Sequence, residues 1–168
     1  MNPYRQAILG LGSNLGDRAT MLASARYTLG ELPGTRLLAS SPVYETEPVG
    51  LREQPMFLNQ VVAVETVLSA PGLLRACLDL EHEHGRERDI PNGPRTLDID
   101  LLFYENLKFH TPDLELPHPR WRDRAFVVAP LVDLLTDGAL ASEACWGELR
   151  REALALPDRA GVTCWLQH

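Results

Sequence analysis

Apolar residues recur along the chain with two periods, one typical of strands and one typical of helices. Four segments have the pattern of strands: residues 6–12, 35–44, 57–68 and a segment that starts near Leu97. Helical spacing predicts a first helix over residues 15–29, preceded by a Ser13-Asn14 N-cap. A second helix is predicted from Pro71 to Gly85. The order β-α-β-β-α-β is that of the ferredoxin-like α/β (α+β) fold, an antiparallel sheet with both helices on one face.

The last part of the chain has weaker signals. Residues 123–135 are apolar enough for a helix or a helix pair, which we expect Pro130 to interrupt. We expect residues 136–168, which contain Trp146 and Trp165, to form a peripheral C-terminal extension. We therefore expect residues 1–168 to be a single domain with a core over about 6–135.

Composition and charge exclude several classes of protein. The 168 residues are 45% apolar and 23% charged, as in a globular domain. No apolar run reaches the roughly 18 residues of a membrane span. The net charge of −7 argues against nucleic-acid and membrane partners, which select basic surfaces. The N-terminus has no signal-peptide segment, and the three cysteines form no C-x-x-C pair. We therefore expect a cytoplasmic protein. We also expect a monomer that acts on small molecules.

The segment from Gly93 to Tyr104 carries the strongest chemical signal. Its alternation places Asp98 and Asp100 on one face of a strand, roughly 6–7 Å apart at Cα. Two adjacent carboxylates repel each other unless a cation lies between them, and Mg²⁺ takes such oxygen ligands together with substrate phosphates. For an isolated pair of this kind, a solvated polar face of an edge strand would be the favoured alternative.

Arginines on both sides of the aspartates change that balance. Two groups flank the strand: Arg86, Arg88 and Arg95 before it, and Arg120, Arg122 and Arg124 after it. Guanidinium groups bind phosphate oxygens bidentately, and an acidic protein that binds phosphates must gather its arginines locally. The pattern therefore predicts a site for a polyphosphate and Mg²⁺. Glu81, on the apolar stripe of the second helix, is a candidate acceptor for a ligand hydroxyl.

The glycines at the end of the first strand resemble a dinucleotide-binding fingerprint. Gly10 and Gly12 have the correct spacing, but Leu15 stands where G-x-G-x-x-G needs its third glycine. We therefore interpret these glycines as a tight turn between a strand and a helix.

Four blocks of the sequence match a known signature in the same order. They are Gly12-Ser13-Asn14-Leu15-Gly16-Asp17-Arg18, Phe57-Leu58-Asn59, Gly93-Pro94-Arg95-Thr96-Leu97-Asp98-Ile99-Asp100-Leu101-Leu102 and Leu116-Pro117-His118-Pro119-Arg120. Together they resemble the 6-hydroxymethyl-7,8-dihydropterin pyrophosphokinase (HPPK) family of folate biosynthesis. The resemblance implies a ferredoxin-like fold. It also implies transfer of the β,γ-pyrophosphoryl group of ATP to the pterin hydroxymethyl group, giving AMP and the pterin diphosphate.

The resemblance also implies roles for individual residues. Asp98 and Asp100 would bind two Mg²⁺ ions that hold the ATP phosphates. Arg86 and Arg88 would contact the triphosphate as further catalytic residues. The other implied ATP neighbours are Glu81, Arg95, Leu101, His118 and Arg124. The implied pterin pocket comprises Thr46, Glu47, Val49, Phe57, Asn59, Asn92 and Phe126.

The chain departs from the family pattern at two pocket positions. Many members have tryptophan where Asn92 stands, and tyrosine is common at the position of Phe57. The residues alone leave two other functions open. One is another Mg²⁺-dependent nucleotide enzyme on this fold, such as a nucleotidyltransferase. The other is a non-catalytic ferredoxin-like ligand-binding module.

Overall fold

The structure, a computed structural model, describes residues 2–47, 53–85, 97–157 and 161–165. Within them the strands are β1 (Arg5–Ser13), β2 (Thr35–Ser40), β3 (Tyr44–Thr46), β4 (Phe57–Thr66), β5 (Asp98–Tyr104), β6 (Phe109–His110), β7 (Glu115–Leu116) and β8 (Val162–Cys164). The α-helices are α1 (Arg18–Gly30), α2 (Ala70–Glu83), α3 (Ala125–Thr136) and α4 (Gly147–Ala155).

Strand β1 is an inner strand of an antiparallel sheet. It pairs with β4 on one side and with β5 on the other, while β2 and β3 pair with successive parts of β4. The strand order is β5–β1–β4–β3–β8, with β2 also beside β4, and β6 and β7 form a separate hairpin. The predicted ferredoxin-like fold is confirmed, because the first and third predicted strands are central neighbours in the sheet.

The second predicted strand is in fact two strands. β2 ends at Ser40 and β3 begins at Tyr44, and the residues between them outnumber the residues of β4 that they face. Pro42 has no N–H to donate to a ladder, and Oγ of Ser41 accepts from the N–H of Val61 at 3.0 Å. The extra residue and the proline break the strand while both halves stay beside β4.

Two apolar layers cover the two faces of the sheet, because successive side chains of a strand point to opposite faces. One layer joins the sheet to α1 and α2 and includes Ala7, Leu9, Leu22, Leu29, Leu73 and Leu80. The other joins the sheet to α3 and α4 and includes Ile8, Leu102, Phe103, Val127, Leu131 and Ala153. The two helices predicted first therefore share one face, as expected, and the C-terminal helices cover the other.

Helix α1 begins at Arg18, almost one turn later than the sequence pattern predicted. Its N-cap is Asp17, whose Oδ1 accepts from the N–H of Thr20 at 3.1 Å. The predicted cap Asn14 is used elsewhere, since its side chain donates to Oε1 of Gln54 at 2.8 Å. Asn14 therefore makes a tertiary hydrogen bond to Gln54 in place of the predicted cap at the start of α1.

Helix α3 continues through Pro130, and the expected interruption is wrong. Proline removes one hydrogen bond to the carbonyl of the preceding turn. Burial of the apolar side chains around it offsets that loss; these include Val127, Val128, Ala129 and Leu131. Although α3 is strongly apolar, neither it nor another helix in the described ranges is long and apolar enough to span a membrane.

Part of the predicted extension, residues 136–168, is packed into the second apolar layer. Trp146 is 1% exposed, and its ring centroid lies 6.5 Å from that of Phe103 in an edge-to-face arrangement. Its Nε1 donates to Oε1 of Gln6 at 2.7 Å. This segment is therefore not peripheral, because it covers the face of the sheet that α3 also covers.

We predict that Trp146→Ala lowers the free energy of unfolding by about 3–5 kcal/mol, because it leaves a large cavity beside Phe103. Leu154→Ala is the matched control on α4, since Leu154 is 54% exposed, and we expect a change below about 0.5 kcal/mol. Urea unfolding followed by circular dichroism measures both. Equal costs for the two variants would contradict the buried position of Trp146.

Candidate active site

Strand β1 brings the polar ends of β4 and β5 onto one face of the sheet. Gly12 lies directly opposite Asn59 on β4 and Asp98 on β5, and Gly10 lies opposite Asp100. Residues directly opposite each other in antiparallel strands project from the same face. The amide of Asn59 and the two carboxylates therefore face the same side, with two glycines between them. This is the face that α3 covers further along the sheet.

The paired aspartates predicted from the sequence are together and partly exposed. Ile99, between them, is buried in the layer on the opposite face, so alternation directs both carboxylates away from it. The Asp100 side chain is 33% exposed, and its Oδ2 lies 3.8 Å from Nη1 of Arg124 at the start of α3. In the part of the chain that the structure describes, no three His, Cys, Asp or Glu side chains gather as a metal site. Two carboxylates suit an ion that takes its other ligands from substrate and water.

His118 lies near these carboxylates and is held neutral. Its backbone N–H donates to the carbonyl of Leu102 at 2.9 Å. Its ring Nδ1 accepts from the backbone N–H of Arg120 at 3.2 Å. Burial lowers the pKa of His118 to about 4, and the positive charges of Arg124 and Arg120 act in the same direction. The carboxylate of Asp98 raises this pKa but is outweighed. Because Nδ1 accepts, the ring proton is on Nε2, which can donate to an anion.

A cleft of about 1200 Å³ lies beside β5, between α2 and the β6–β7 hairpin. The aspartate pair, His118 and Leu101 line it, and Leu74, Leu78 and Phe109 supply apolar surface. Glu81 also lines it, but this side chain is only 3% exposed and its Oε2 accepts from the N–H of Ile99 at 2.8 Å. The cleft therefore offers both apolar and charged walls to one ligand.

On the other side of β1, the Asn59 side chain is held in one orientation. Its Nδ2 donates to Oγ1 of Thr46 at 2.6 Å, and both residues are buried. Phe57 lies two residues before Asn59 on the same face of β4 and is partly exposed. Phe126 is on the first turn of α3, with the Arg124 guanidinium 5.5 Å from its ring centroid. Glu47 follows Thr46 and is exposed. An oriented amide with the aromatic ring of Phe57 on the same strand face suits a flat heterocycle.

The structure adds two residues that the sequence analysis did not assign to the site. Asn14, 1% exposed, donates to Gln54 and to the carbonyl of Pro55, and so holds the segment that leads into Phe57. Gly12 lies within β1 and not in the expected turn. The sequence signal that could have indicated this position is the pair Gly10 and Gly12 within an apolar run. Glycines two residues apart leave one face of a strand without side chains.

Some predicted site residues fall outside the described residues: Val49, Arg86, Arg88, Asn92 and Arg95. The others form two groups on either side of β1. One group lies towards β5 and comprises Glu81, Asp98, Asp100, Leu101, His118 and Arg124. The second group lies towards β4 and comprises Thr46, Glu47, Phe57 and Asn59. Phe126, on the first turn of α3, lies beside Arg124 of the first group.

Comparison with known proteins assigns the chain to a family. The family model for 7,8-dihydro-6-hydroxymethylpterin-pyrophosphokinase (HPPK) matches residues 8–136. The chain belongs to the HPPK family. It is 45% identical over 157 residues to a 2-amino-4-hydroxy-6-hydroxymethyldihydropteridine pyrophosphokinase of Methylorubrum extorquens, covering 94% of this chain and 96% of that protein. It is 37% identical to the protein of the same name from Bacillus subtilis, covering 96% of this chain and 90% of that protein.

Solved structures share the fold of this HPPK-family chain. HPPK-DHPS of Plasmodium falciparum with pteroate superposes with a TM-score of 0.64 at 15% identity. The match covers 89% of this chain and 42% of that one, so this chain spans less than half of that protein. The likeness at this identity supports the fold alone. The family match favours a pyrophosphokinase over the nucleotidyltransferase and over the ligand-binding module.

We predict that His118 titrates near pH 4. The unfolded chain has the ordinary value of 6.5, so between about 4 and 6.5 the folded protein binds fewer protons than the unfolded chain. The contribution of His118 to stability is therefore complete above 6.5 and is lost as the pH falls towards 4.

Imidazole NMR signals, assigned by their loss in His118→Gln, measure the midpoint directly. Urea unfolding of both proteins from pH 4 to 7 measures the linkage, and we expect a shallower pH dependence for His118→Gln. A His118 midpoint near 6.5 would contradict the buried, positively flanked environment.

Proposed function

We propose that this HPPK-family chain transfers the pyrophosphoryl group of ATP to the hydroxymethyl group of 6-hydroxymethyl-7,8-dihydropterin, giving AMP and the pterin diphosphate in folate biosynthesis. The observation that carries the proposal is the shared sheet face of Asn59, Asp98 and Asp100. Neighbouring strands are about 4.8 Å apart, so β4 and β5 are separated by about 10 Å across β1. Each substrate then has its own group of side chains, and the reacting ends meet over β1.

We assign the pterin to the β4 side of the site. Because Nδ2 of Asn59 donates its hydrogen bond to Thr46, we assign Oδ1 of Asn59 as the acceptor for the N–H groups on the pterin edge. Phe57 and Phe126 supply aromatic surface for the ring. Glu47, Val49 and Asn92 are assigned to the same pocket from the family resemblance.

We assign ATP to the cleft beside β5. Its apolar wall suits the adenine base, with Leu101 and Glu81 as neighbours. The phosphates then lie towards the aspartate pair, where Arg124 and Nε2 of His118 supply donors. The resemblance and the local positive charge assign three further arginines to the phosphates: Arg86, Arg88 and Arg95.

The aspartate pair fits Mg²⁺, and we expect two ions. Asp98 and Asp100 are neighbours on one face, are partly exposed and present only oxygen ligands. Without a cation, this pair would repel the phosphates that the cleft is proposed to hold. When bound, Mg²⁺ supplies charge neutralisation on the phosphate oxygens.

The reaction is a displacement at the β-phosphorus of ATP. The hydroxymethyl oxygen forms a bond to the β-phosphorus, while the bond between the β-phosphorus and the oxygen that bridges the α- and β-phosphates breaks. AMP leaves with the bridging oxygen. Arg124 and the neutral His118 stabilise negative charge on the phosphate oxygens. Asn59 and the aromatic side chains orient the attacking group. We assign no side chain as general base, and the hydroxyl proton passes to solvent.

We also propose that the protein works as a monomer in the cytoplasm. The residues of both subsites that the structure describes belong to one chain, and the proposal assigns no residue from a second copy. Cys77, Cys145 and Cys164 are free thiols, which suits a reducing compartment.

We predict that Asp98→Asn and Asp100→Asn each lower kcat by at least about a hundredfold, because each removes a charge that holds the phosphate-bound cation. The expected change in unfolding free energy is small, since both side chains are partly exposed. AMP formation at saturating Mg²⁺, ATP and pterin measures the effect.

Asp137→Asn is the matched control for these variants. Asp137 is exposed at the far end of α3, a helix of 12 residues, and so lies about 18 Å along its axis from Arg124. We expect near-normal turnover for this variant. Near-normal turnover of Asp98→Asn or Asp100→Asn would contradict the metal assignment.

We predict that Asn59→Ala raises KM for the pterin by about 10- to 100-fold, the scale of one buried hydrogen bond left unmade. We expect KM for ATP to change less than about twofold. Thr66→Val is the control on the same strand. It removes the buried 2.7 Å hydrogen bond between Thr66 and Thr35 outside the site. We expect this variant to be less stable, but to have the same effect on KM for the pterin as on KM for ATP. Equal effects of Asn59→Ala on both substrates would contradict the pterin assignment.

A further inference from the structure

Gly12 stands in β1 where a side chain would lie between Asn59 and Asp98. A Cβ built at this position would be 2.7 Å from Oδ1 of Asn59 and 3.6 Å from Cδ1 of Phe57. The first distance is too short for a carbon–oxygen contact, whereas the second is ordinary van der Waals contact. Any side chain at position 12 would therefore displace the carbonyl of Asn59 and leave Phe57 where it is.

Backbone conformation does not explain a glycine here. Gly12 is in an extended strand that is paired on both sides. The glycines with positive φ in the described ranges are elsewhere: Gly16, Gly34, Gly85, Gly138 and Gly161. What glycine provides at position 12 is space over the strand.

The space matters because the Asn59 amide is held at its other end. Nδ2 donates to Oγ1 of Thr46 at 2.6 Å, and Thr46 is only 2% exposed. Thr46 belongs to β3, whose place is set by pairing with β4. An amide is planar, so moving its oxygen also rotates its nitrogen away from the Thr46 hydroxyl. Thr46 therefore orients the amide by accepting a hydrogen bond, and Gly12 does so by leaving room for the oxygen.

We propose that Gly12 is a positioning residue of the pterin site, which acts through Asn59 and determines affinity for the pterin and not for ATP. The inference rests on the function proposed above. Its physical content is that Oδ1 of Asn59 reaches the pterin edge only while position 12 has no Cβ.

Gly10 provides the matched control. It lies on the same strand and the same face, opposite Asp100. The three atoms nearest to a Cβ there would all belong to the Leu102 side chain, with Cδ1 at 3.4 Å, which is ordinary van der Waals contact. Gly10→Ala thus adds the same atom without touching the Asn59 amide.

The experiment compares Gly12→Ala, Gly10→Ala, Asn59→Ala and the double variant Gly12→Ala/Asn59→Ala. Calorimetric titration with 6-hydroxymethylpterin, in the presence of Mg²⁺ and a non-hydrolysable ATP analogue, gives the pterin Kd. Titration with the analogue alone gives the nucleotide Kd. We expect Gly12→Ala to weaken pterin binding about 10- to 100-fold, as for one lost buried hydrogen bond, and to change nucleotide binding less than about twofold. Gly10→Ala should keep both affinities within about twofold.

The double variant tests whether Gly12 acts through Asn59. Once the amide is absent, the added Cβ has nothing to displace, so the double variant should match Asn59→Ala within about twofold. Side-chain amide NMR signals of Asn59 should shift in ligand-free Gly12→Ala and not in Gly10→Ala, which a general loss of stability would not produce.

Three results would overturn the inference: unchanged pterin affinity in Gly12→Ala, equal losses for pterin and nucleotide, or additive losses in the double variant. If the proposed function itself is wrong, the wild-type protein will bind no pterin. That result differs from all three of the results above, which concern the variants.

Discussion

Strand β1 is hydrogen-bonded to β4 and β5 at once, and the register of these two ladders decides which side chains meet. A slip of one residue would turn Asn59 or Asp98 to the opposite face of the sheet. The apolar layers oppose such a slip, because Leu9 and Leu11 belong to one layer and Ile8 to the other. The site therefore takes its geometry from the packing of the core, and this packing also fixes the strand face on which Gly12 lies.

The charges of the site depend on the second face of the sheet. The chain has a net charge of −7 and places two carboxylates where anionic phosphates are proposed to bind. Arg124 lies 3.8 Å from Asp100 only because α3 begins there, and α3 is held on the sheet by the layer that contains Trp146. The same surroundings keep His118 neutral, with its pKa lowered to about 4. Trp146 thus helps to set the position of Arg124, although it is not among the described residues that line the cleft.

The pterin side depends on a strand that is only three residues long. β3 carries Thr46 and lies between β4 and the C-terminal strand β8, where Thr46 is opposite Val162. The N–H of Trp165 extends this contact by donating to the carbonyl of Val43 at 2.8 Å. A strand this short is stable because both of its edges are paired. The orientation of Asn59 consequently depends on residues far from it in sequence.

The sequence by itself determined the β-α-β-β-α-β order of the core, the ferredoxin-like fold and the common direction of Asp98 and Asp100, because periodicity and alternation are local properties of the chain. Its signature blocks also identified the family. Only the tertiary structure decided that Gly12 faces Asn59, that Trp146 is buried and that α3 passes through Pro130. Each of these depends on contacts between distant segments, where burial and ladder hydrogen bonds outweigh the local preference of a residue. Strand register in particular is a relation between two segments, and no pattern within one segment specifies it.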